Sequence, residues 1–325
     1  MPTAIIRLLR YSLFLLLLFV LTACGTTQVS SEPSDETTSA TNSSTSDTQT
    51  VTDDFGHELT IPVQPEKVFA PYQEDALTTL GVTPIAKYSV NGTVQTHLES
   101  ALEDVPSFEM ASGISPEALL ELDPDLVIVS SHFLPTEQYD PLAKIAPVYL
   151  LDSSSTDWEQ SLRTIAELLG KSDQVEQKMT DYSGTLEDAK TTIAQQEQQR
   201  ETYIVFPGEK EFFIVGSDFL SGKVLYGELG LTPPNIATET PDNFTSMSLE
   251  MIPELGDSNL FVITPEGQTT EQVKTLLDTL PLWSDLPAVQ NDRVFHVDTG
   301  HWINSGYMAN LAVTEDVLAA LTSTK

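Results

Sequence analysis

"SPEALLELDPDLVIVSS" spans Ser115 to Ser131, and "SLEMIPELGDSNLFVIT" spans Ser248 to Thr264. Each stretch opens on a serine suited to capping a helix, sets a glutamate two residues on, and ends in a short apolar run with the composition of a buried strand. The same plan is therefore written twice. Pro116 stands at the first helical position of the earlier copy, where its missing N–H costs nothing, and Leu249 takes that place in the later one.

Three further landmarks recur in the same order. "LGVTP" from Leu80 returns as "LGLTP" from Leu229, "PLAKIAP" from Pro141 as "PLWSDLP" from Pro281, and "VYLLD" from Val148 as "VFHVD" from Val294. With the opening pair, the separations are 149, 133, 140 and 146 residues, which argues for two lobes of one design. Within the first lobe, "KVFA" (67–70), "PIAKY" (84–88), "DLVIVSS" (125–131) and "VYLL" (148–151) are β-rich runs separated by helical patterns. The second offers "TYIVF" (202–206), "EFFIVG" (211–216), "LFVIT" (260–264) and "VFHVD". This alternation predicts an α/β fold with βαβ units around parallel sheets. "TVTDDFGHELTIP" predicts an antiparallel pair at the edge of the first lobe.

Between the lobes, Val175, Met179, Tyr182, Leu186, Ala189 and Ile193 recur at helical spacing within a stretch from Ser172 to about Gln198. Such a helix reaches about 40 Å. A single copy with weak heptads favours a strut between domains over a coiled coil.

At the amino terminus, Arg7 and Arg10 precede the uncharged run Leu13 to Leu21, which leads through Thr22 and Ala23 into Cys24, the chain's single cysteine. A charged, then apolar, then small-residue order is that of an export signal, and the run is shorter than the roughly 20 residues that span a bilayer. "LTAC" resembles the lipobox of bacterial lipoproteins, in which the cysteine becomes the first mature residue and carries a diacylglyceryl group. A redox role, an intermolecular disulfide or an uncleaved anchor would leave the basic and apolar flank without a purpose. Two acyl chains on one sulfur anchor stably where one holds only marginally. From Gly25 to Thr50 the Ser- and Thr-rich sequence reads as a tether of roughly 25 to 30 Å. The resulting division is a signal over 1–23, lipidated Cys24 and tether over 24–50, a first lobe over 51–170, a bridging helix over 171–200 and a second lobe over 201–325.

The formal charge is −33, and loss of the leader's two arginines deepens it to −35. A nucleic-acid partner is excluded on that balance, because such affinity rests on basic contacts with phosphate. An anionic bilayer repels this body too, so the lipid must do the anchoring; the acidity equally suits a saline habitat.

From about Val51 onward the chain resembles the class III substrate-binding proteins of bacterial ABC importers, which serve ferric siderophores, cobalamin and haem. "LTIPVQPEKV", "DALTTLGVTP", "SPEALLELDPDLVIV", "IAELLGK" and "LPLWSDLPAVQNDRVFHVD" carry the resemblance as an ordered set. It implies two pseudo-symmetric Rossmann-like lobes bridged by one long helix, a ferric siderophore held between them, and delivery to a membrane permease from the extracytoplasmic face; the sequence itself gives no reason to expect an enzyme or an oligomer. The resemblance also implies that Glu117 and Glu250 dock onto the two permease subunits. Alone, a first-turn glutamate merely favours the helix dipole by about 0.3–1 kcal/mol; recurrence at one offset argues for docking.

Ligands of open α/β sheets gather at the carboxyl ends of strands. The candidates there are Tyr72, Lys87, Tyr88, His132, Phe133, Phe206, Phe219 and Trp302. Aromatic walls suit a bulky chelate, although each aromatic competes with a role in core packing. Lys87 reads equally as a solvated lysine, and His132 stands where the family often has arginine. So acidic a body favours a neutral hydroxamate or mixed-type chelate over a trianionic tricatecholate.

Direct capture of a metal ion is a second reading. His57, His97, His132, His296 and His301 include no i,i+4 pair, so zinc or manganese lacks a sequence signature. Cobalamin and haem remain alternatives within the resemblance. An extracytoplasmic hydrolase lacks a G-x-S-x-G elbow, and "GSDFLSGKV" from Gly216 misses the spacing and the Ser or Thr of a phosphate loop.

Overall fold

The computed structural model describes residues 48–90, 94–152, 157–196 and 200–322, all within one compact unit, Ser46–Lys325. The leader, Cys24 and most of the segment read as a tether lie outside the described residues. The fold begins a few residues before the expected boundary: β1 (Thr48–Thr52) pairs antiparallel with β2 (Glu58–Pro62), Thr50 opposite Thr60. Asp53 shapes the turn between them. Its buried carboxylate accepts the N–H groups of Phe55 and His57 at 3.0 and 2.8 Å and that of Leu150 at 3.3 Å, so a single side chain forms the hairpin and pins it to the lobe.

In the first lobe, β3 (Val68–Phe69), β6 (Leu126–Ser130) and β7 (Val148–Leu151) form a parallel sheet in the order β3-β6-β7. A separate parallel pair joins β4 (Lys87–Ser89) to β5 (Ser107–Glu109). Between the strands run α1 (Glu74–Thr79), α2 (Pro116–Leu122) and α3 (Thr136–Ala143). The sequence reading anticipated a helix from Ser115, and Ser115 caps α2 by accepting the Ala118 N–H.

α4 (Trp158–Leu168) leads to α5 (Ser172–Gln196), the bridge. All six residues placed on its inner face are buried. They join one apolar cluster that includes Leu77 and Ile128 of the first lobe and Ile204 and Phe261 of the second. The lobes therefore share a core, and moving one against the other would expose apolar surface at about 25 cal/mol per Å².

The second lobe is a five-stranded sheet, β10-β9-β8-β11-β12, with β8 (Thr202–Pro207), β11 (Asn259–Thr264) and β12 (Val294–Asp298) parallel. β9 (Glu211–Val215) and β10 (Phe244–Ser248) run antiparallel, which corrects the expectation of βαβ units throughout. Only three residues separate β8 from β9, too few for a crossover and right for a hairpin. The second copy of the capped helix, Leu249–Leu255, is a 3-10 helix with Pro253 inside it, since proline removes a donor from the α-helical ladder. The lobe is completed by α6 (Asn235–Glu239), α7 (Thr270–Asp278), α8 (Pro287–Gln290) and α9 (Thr299–Trp302). Last, α10 (Tyr307–Thr322) packs along α5 and against α1, so the C-terminal helix is a second tie between lobes.

The segment that loosely resembles a phosphate loop has a packing role. A Cβ on Gly222 would sit 2.0 Å from the Gly216 carbonyl oxygen, and the chain continues into a π-helical turn, Lys223–Glu228.

Candidate functional site

The carboxyl ends of β3, β4, β11 and β12 converge on a cleft of about 430 Å³ between the lobes. The first lobe contributes Tyr72, Tyr88, Gln95 and Thr96 to its wall; the second contributes Thr264, Glu266, Asp298, Thr299, Gly300 and Asn304. Tyr72 is held in the left-handed region, φ 64°, and its ring lies between those of Tyr88 and Phe133 at centroid distances of 3.9 and 3.7 Å. His132, exposed, meets the Phe133 ring edge-on at 5.0 Å. Three of the sequence candidates, Tyr88, Tyr72 and Phe133, thus form a single aromatic stack with a fourth, His132, at its edge, and Tyr72 and Tyr88 line the cleft.

The others lie elsewhere. Lys87 is buried and donates to the Leu102 carbonyl at 2.7 Å, so its ammonium closes a loop. Phe206 and Phe219 cluster around Phe244 at 6.4 and 5.3 Å, outside the cleft wall. Trp302 corrects the expectation of a loop-borne ligand residue. It is fully buried, stacks on Phe261 at 5.0 Å, and donates from Nε1 to Asp316 at 2.8 Å. Its short helix, α9, buries a ring that the surrounding glycines and polar residues suggested was loop-borne.

Two ties close the cleft floor. Thr96 Oγ1 donates to Asp298 at 2.6 Å, and Gln95 Nε2 to Asn304 at 3.3 Å. Gly300 allows this approach, because a Cβ there would stand 1.8 Å from Thr96 Oγ1. Behind the floor, buried Asp75 of α1 accepts the N–H groups of Met308 and Ala309 at 3.1 and 2.9 Å, capping α10 from the opposite lobe. Asp75, Gln95, Thr264, Glu266, Asp298 and Thr299 escaped the sequence reading. The strand-end rule that found Tyr72 also points to Thr264 and Thr299, which directly end or follow β11 and β12; Gln95 belongs to a loop with no such signal.

The electrostatics of the wall are acidic. Among the described lining residues the charged ones are Glu266 and Asp298, with no Lys, Arg or His. Burial raises the Tyr88 phenol's pKa, and Glu74, Tyr72 and Glu266 raise it further, against a hydrogen bond from Gln95. Burial likewise pushes the Glu74 carboxyl up to about 8, although its Oε1 accepts the Tyr88 N–H at 2.8 Å. At neutral pH Glu74 is therefore mostly neutral. Three buried side-chain atoms of lining residues have no protein partner: Gln95 Oε1, Thr264 Oγ1 and Thr299 Oγ1. Among the described residues no group of three or more His, Cys, Asp or Glu is placed to hold a metal ion, and no helix is long and apolar enough to cross a membrane.

Two lobes sharing one bridging helix, with a cleft at their strand ends, define a binding protein of the periplasmic type. The family model described as periplasmic binding protein matches residues 74–299, and the chain belongs to that family. It is 27% identical to a probable siderophore-binding lipoprotein of Bacillus subtilis, YfiY, over 90% of this chain and 91% of the relative. Against the iron(3+)-hydroxamate-binding protein YxeB of the same organism the identity is 26%, covering 89% and 88%. The fold matches crystal structures of a ferrichrome-transporter binding component from B. subtilis, with TM-score 0.70, 21% identity and coverage of 84% and 100%. It also matches FeuA of B. subtilis complexed with ferri-bacillibactin, with TM-score 0.69, 19% identity and coverage of 84% and 98%.

Proposed function

We propose that this protein is the extracytoplasmic receptor of a bacterial ABC importer, which binds a ferric siderophore between its lobes and delivers it to the permease for iron uptake. The observation that carries this reading is the interlobe cleft, whose wall joins Tyr72 and Tyr88 of the aromatic stack to polar residues of both lobes. The siderophore and iron-chelate names of its relatives support the ligand class. The shared core supports recognition with little closure. Cys24, as the lipidated first residue of the mature chain, fixes the receptor to the outer face of the membrane.

Glu117 and Glu250 are the docking residues. Both are exposed in first turns capped by Ser115 and Ser248, one on each lobe, as a heterodimeric or two-fold permease surface requires. In cells that depend on this importer, uptake of radioiron from a ferric chelate should cease in the double variant Glu117→Arg/Glu250→Arg, while the purified variant keeps its chelate affinity. Unchanged uptake, or loss of binding by the purified variant, would reject the docking assignment. If the purified wild type binds no ferric chelate, the receptor reading itself fails.

A further inference from the structure

Beside the cleft lies a second chamber, of about 160 Å³, bounded by the starts of α1, α4 and α10. Tyr72 lines both cavities, and Ser305 of the chamber directly follows Asn304 of the cleft wall, so the two spaces share a partition. Both ring faces of Tyr72 are covered, by Tyr88 and by Phe133, which holds that partition in place. A space of this size admits a group about as large as benzene and excludes a whole chelate.

The chemistry offered by the chamber is polar without being charged. Trp158 is more than nine-tenths buried, yet its indole N–H has no hydrogen-bond partner among the described residues, and neither do the Gln73 amide, Ser161 Oγ and Ser305 Oγ. A buried tryptophan ordinarily finds a partner for its N–H. These groups differ from Gln95 Oε1, Thr264 Oγ1 and Thr299 Oγ1, which are sealed by the atoms around them. None of the four is sealed, so a group entering the chamber can reach them.

α4 and α10 both begin here, and a helix start ordinarily attracts an anion. Both starts are already filled. Asp157 accepts the Glu159 and Gln160 N–H groups, and Asp75 accepts those of Met308 and Ala309. Asp75 has little left for a cation, because its oxygens also meet Thr79 Oγ1 and His97 Nε2 at 3.4 and 3.3 Å. Lys178 lies 5.5 Å from the centroid of the Tyr307 ring and is not a lining residue. What remains is the rings of Trp158 and Tyr307, set edge to face at 6.4 Å, with an indole donor, two hydroxyls and an amide. That set matches an uncharged group carrying hydroxyl or amide functions.

Resting on the receptor reading above, we propose that the chamber is a specificity subsite: with the iron centre in the cleft, an uncharged arm of the chelate bearing hydroxyl or amide groups passes Tyr72 and seats between Trp158, Ser161 and Tyr307. Trp158 and Ser161 are then specificity-determining residues, which touch the arm and not the iron-binding groups.

The test is calorimetric titration of the lipid-free mature chain with two matched pairs, a ferric tris-hydroxamate and a ferric tris-catecholate, each with and without an uncharged N-acetylserine amide arm. In the pair that binds, the armed form should bind at least about 10-fold more tightly, in keeping with two neutral hydrogen bonds. Ser161→Leu, which fills the chamber from a half-buried helical position, should remove that ratio and leave the affinity for the armless form within about 2-fold. Trp158→Phe keeps an aromatic ring and drops the N–H, and should lower the ratio by about 3-fold or more. Equal binding of armed and armless forms by the wild type, or a ratio that survives both substitutions, would overturn the proposal with the receptor reading intact. An equal loss for both forms in either variant would also overturn it, since that is the result of a purely structural role. Failure of all four chelates to bind would instead bring down the receptor reading beneath it.

Discussion

Tyr88 and Trp302 are both aromatic residues near the cleft, yet their surroundings assign them opposite duties. Tyr88 is half-buried on the cleft wall, so Tyr88→Ala should weaken chelate binding by about 10-fold or more. Trp302 has no exposed face, and Trp302→Phe should cost about 1–3 kcal/mol in urea unfolding, through the lost Asp316 hydrogen bond and lost packing, with chelate affinity unchanged. A large loss of affinity in Trp302→Phe would contradict its place in the core. Glu74 supplies a pH signature. Its folded-state pKa of about 8 lies above the ordinary carboxylate value because burial disfavours the charged form. The folded chain therefore holds this proton more tightly than the unfolded chain, and the group's contribution to stability falls as pH rises from about 4.5 toward 8. Between pH 5.5 and 8 the wild type should lose roughly 2–3 kcal/mol more than Glu74→Gln, measured by denaturant unfolding. Parallel profiles would show that Glu74 titrates normally.

Among elements, α9 closely approaches the 3-10 turn Thr96–Leu98. Gly300→Ala puts a methyl group against Thr96 Oγ1 and should destabilise by at least about 2 kcal/mol. Adding Thr96→Ala should recover part of that loss, a coupling measurable in a double-mutant cycle. Gly184 is the control: it lies exposed in α5 with nothing within 4 Å of an added Cβ, and Gly184→Ala should stabilise by about 0.5–1 kcal/mol. This contrast marks what was legible in the sequence. The inner face of α5, the capped start of α2 and the strands of both lobes were written in periodicity, capping residues and β-branched runs. The β8–β9 hairpin was misread as part of a βαβ pattern because apolar composition does not record strand direction, although the three-residue gap does. The aromatic stack was found because it follows strand ends. Lys87 and Trp302 were misplaced because burial and partners are tertiary facts: nothing local says that Leu102 or Asp316 will receive their hydrogens.

Over the whole molecule, a continuous apolar cluster passes from one lobe through α5 to the other, and α10 ties back to α1 through Asp75. A receptor so built recognises its ligand in a nearly preformed cleft, and affinity then depends on wall chemistry more than on closure. If Cys24 carries the lipid as proposed, Cys24→Ser should leave chelate affinity unchanged while the chain loses its acyl mass and leaves the membrane fraction. A wild-type chain without lipid would contradict that assignment. The central claim, that the interlobe cleft holds a ferric siderophore, is tested most directly by titrating the intrinsic fluorescence of the lipid-free mature chain with ferric and iron-free siderophores, in the wild type and in Tyr88→Ala. The account predicts saturable quenching by a ferric chelate in the wild type and a binding curve shifted by about 10-fold or more in the variant. Saturation by no ferric chelate, or identical curves for the two proteins, would contradict it.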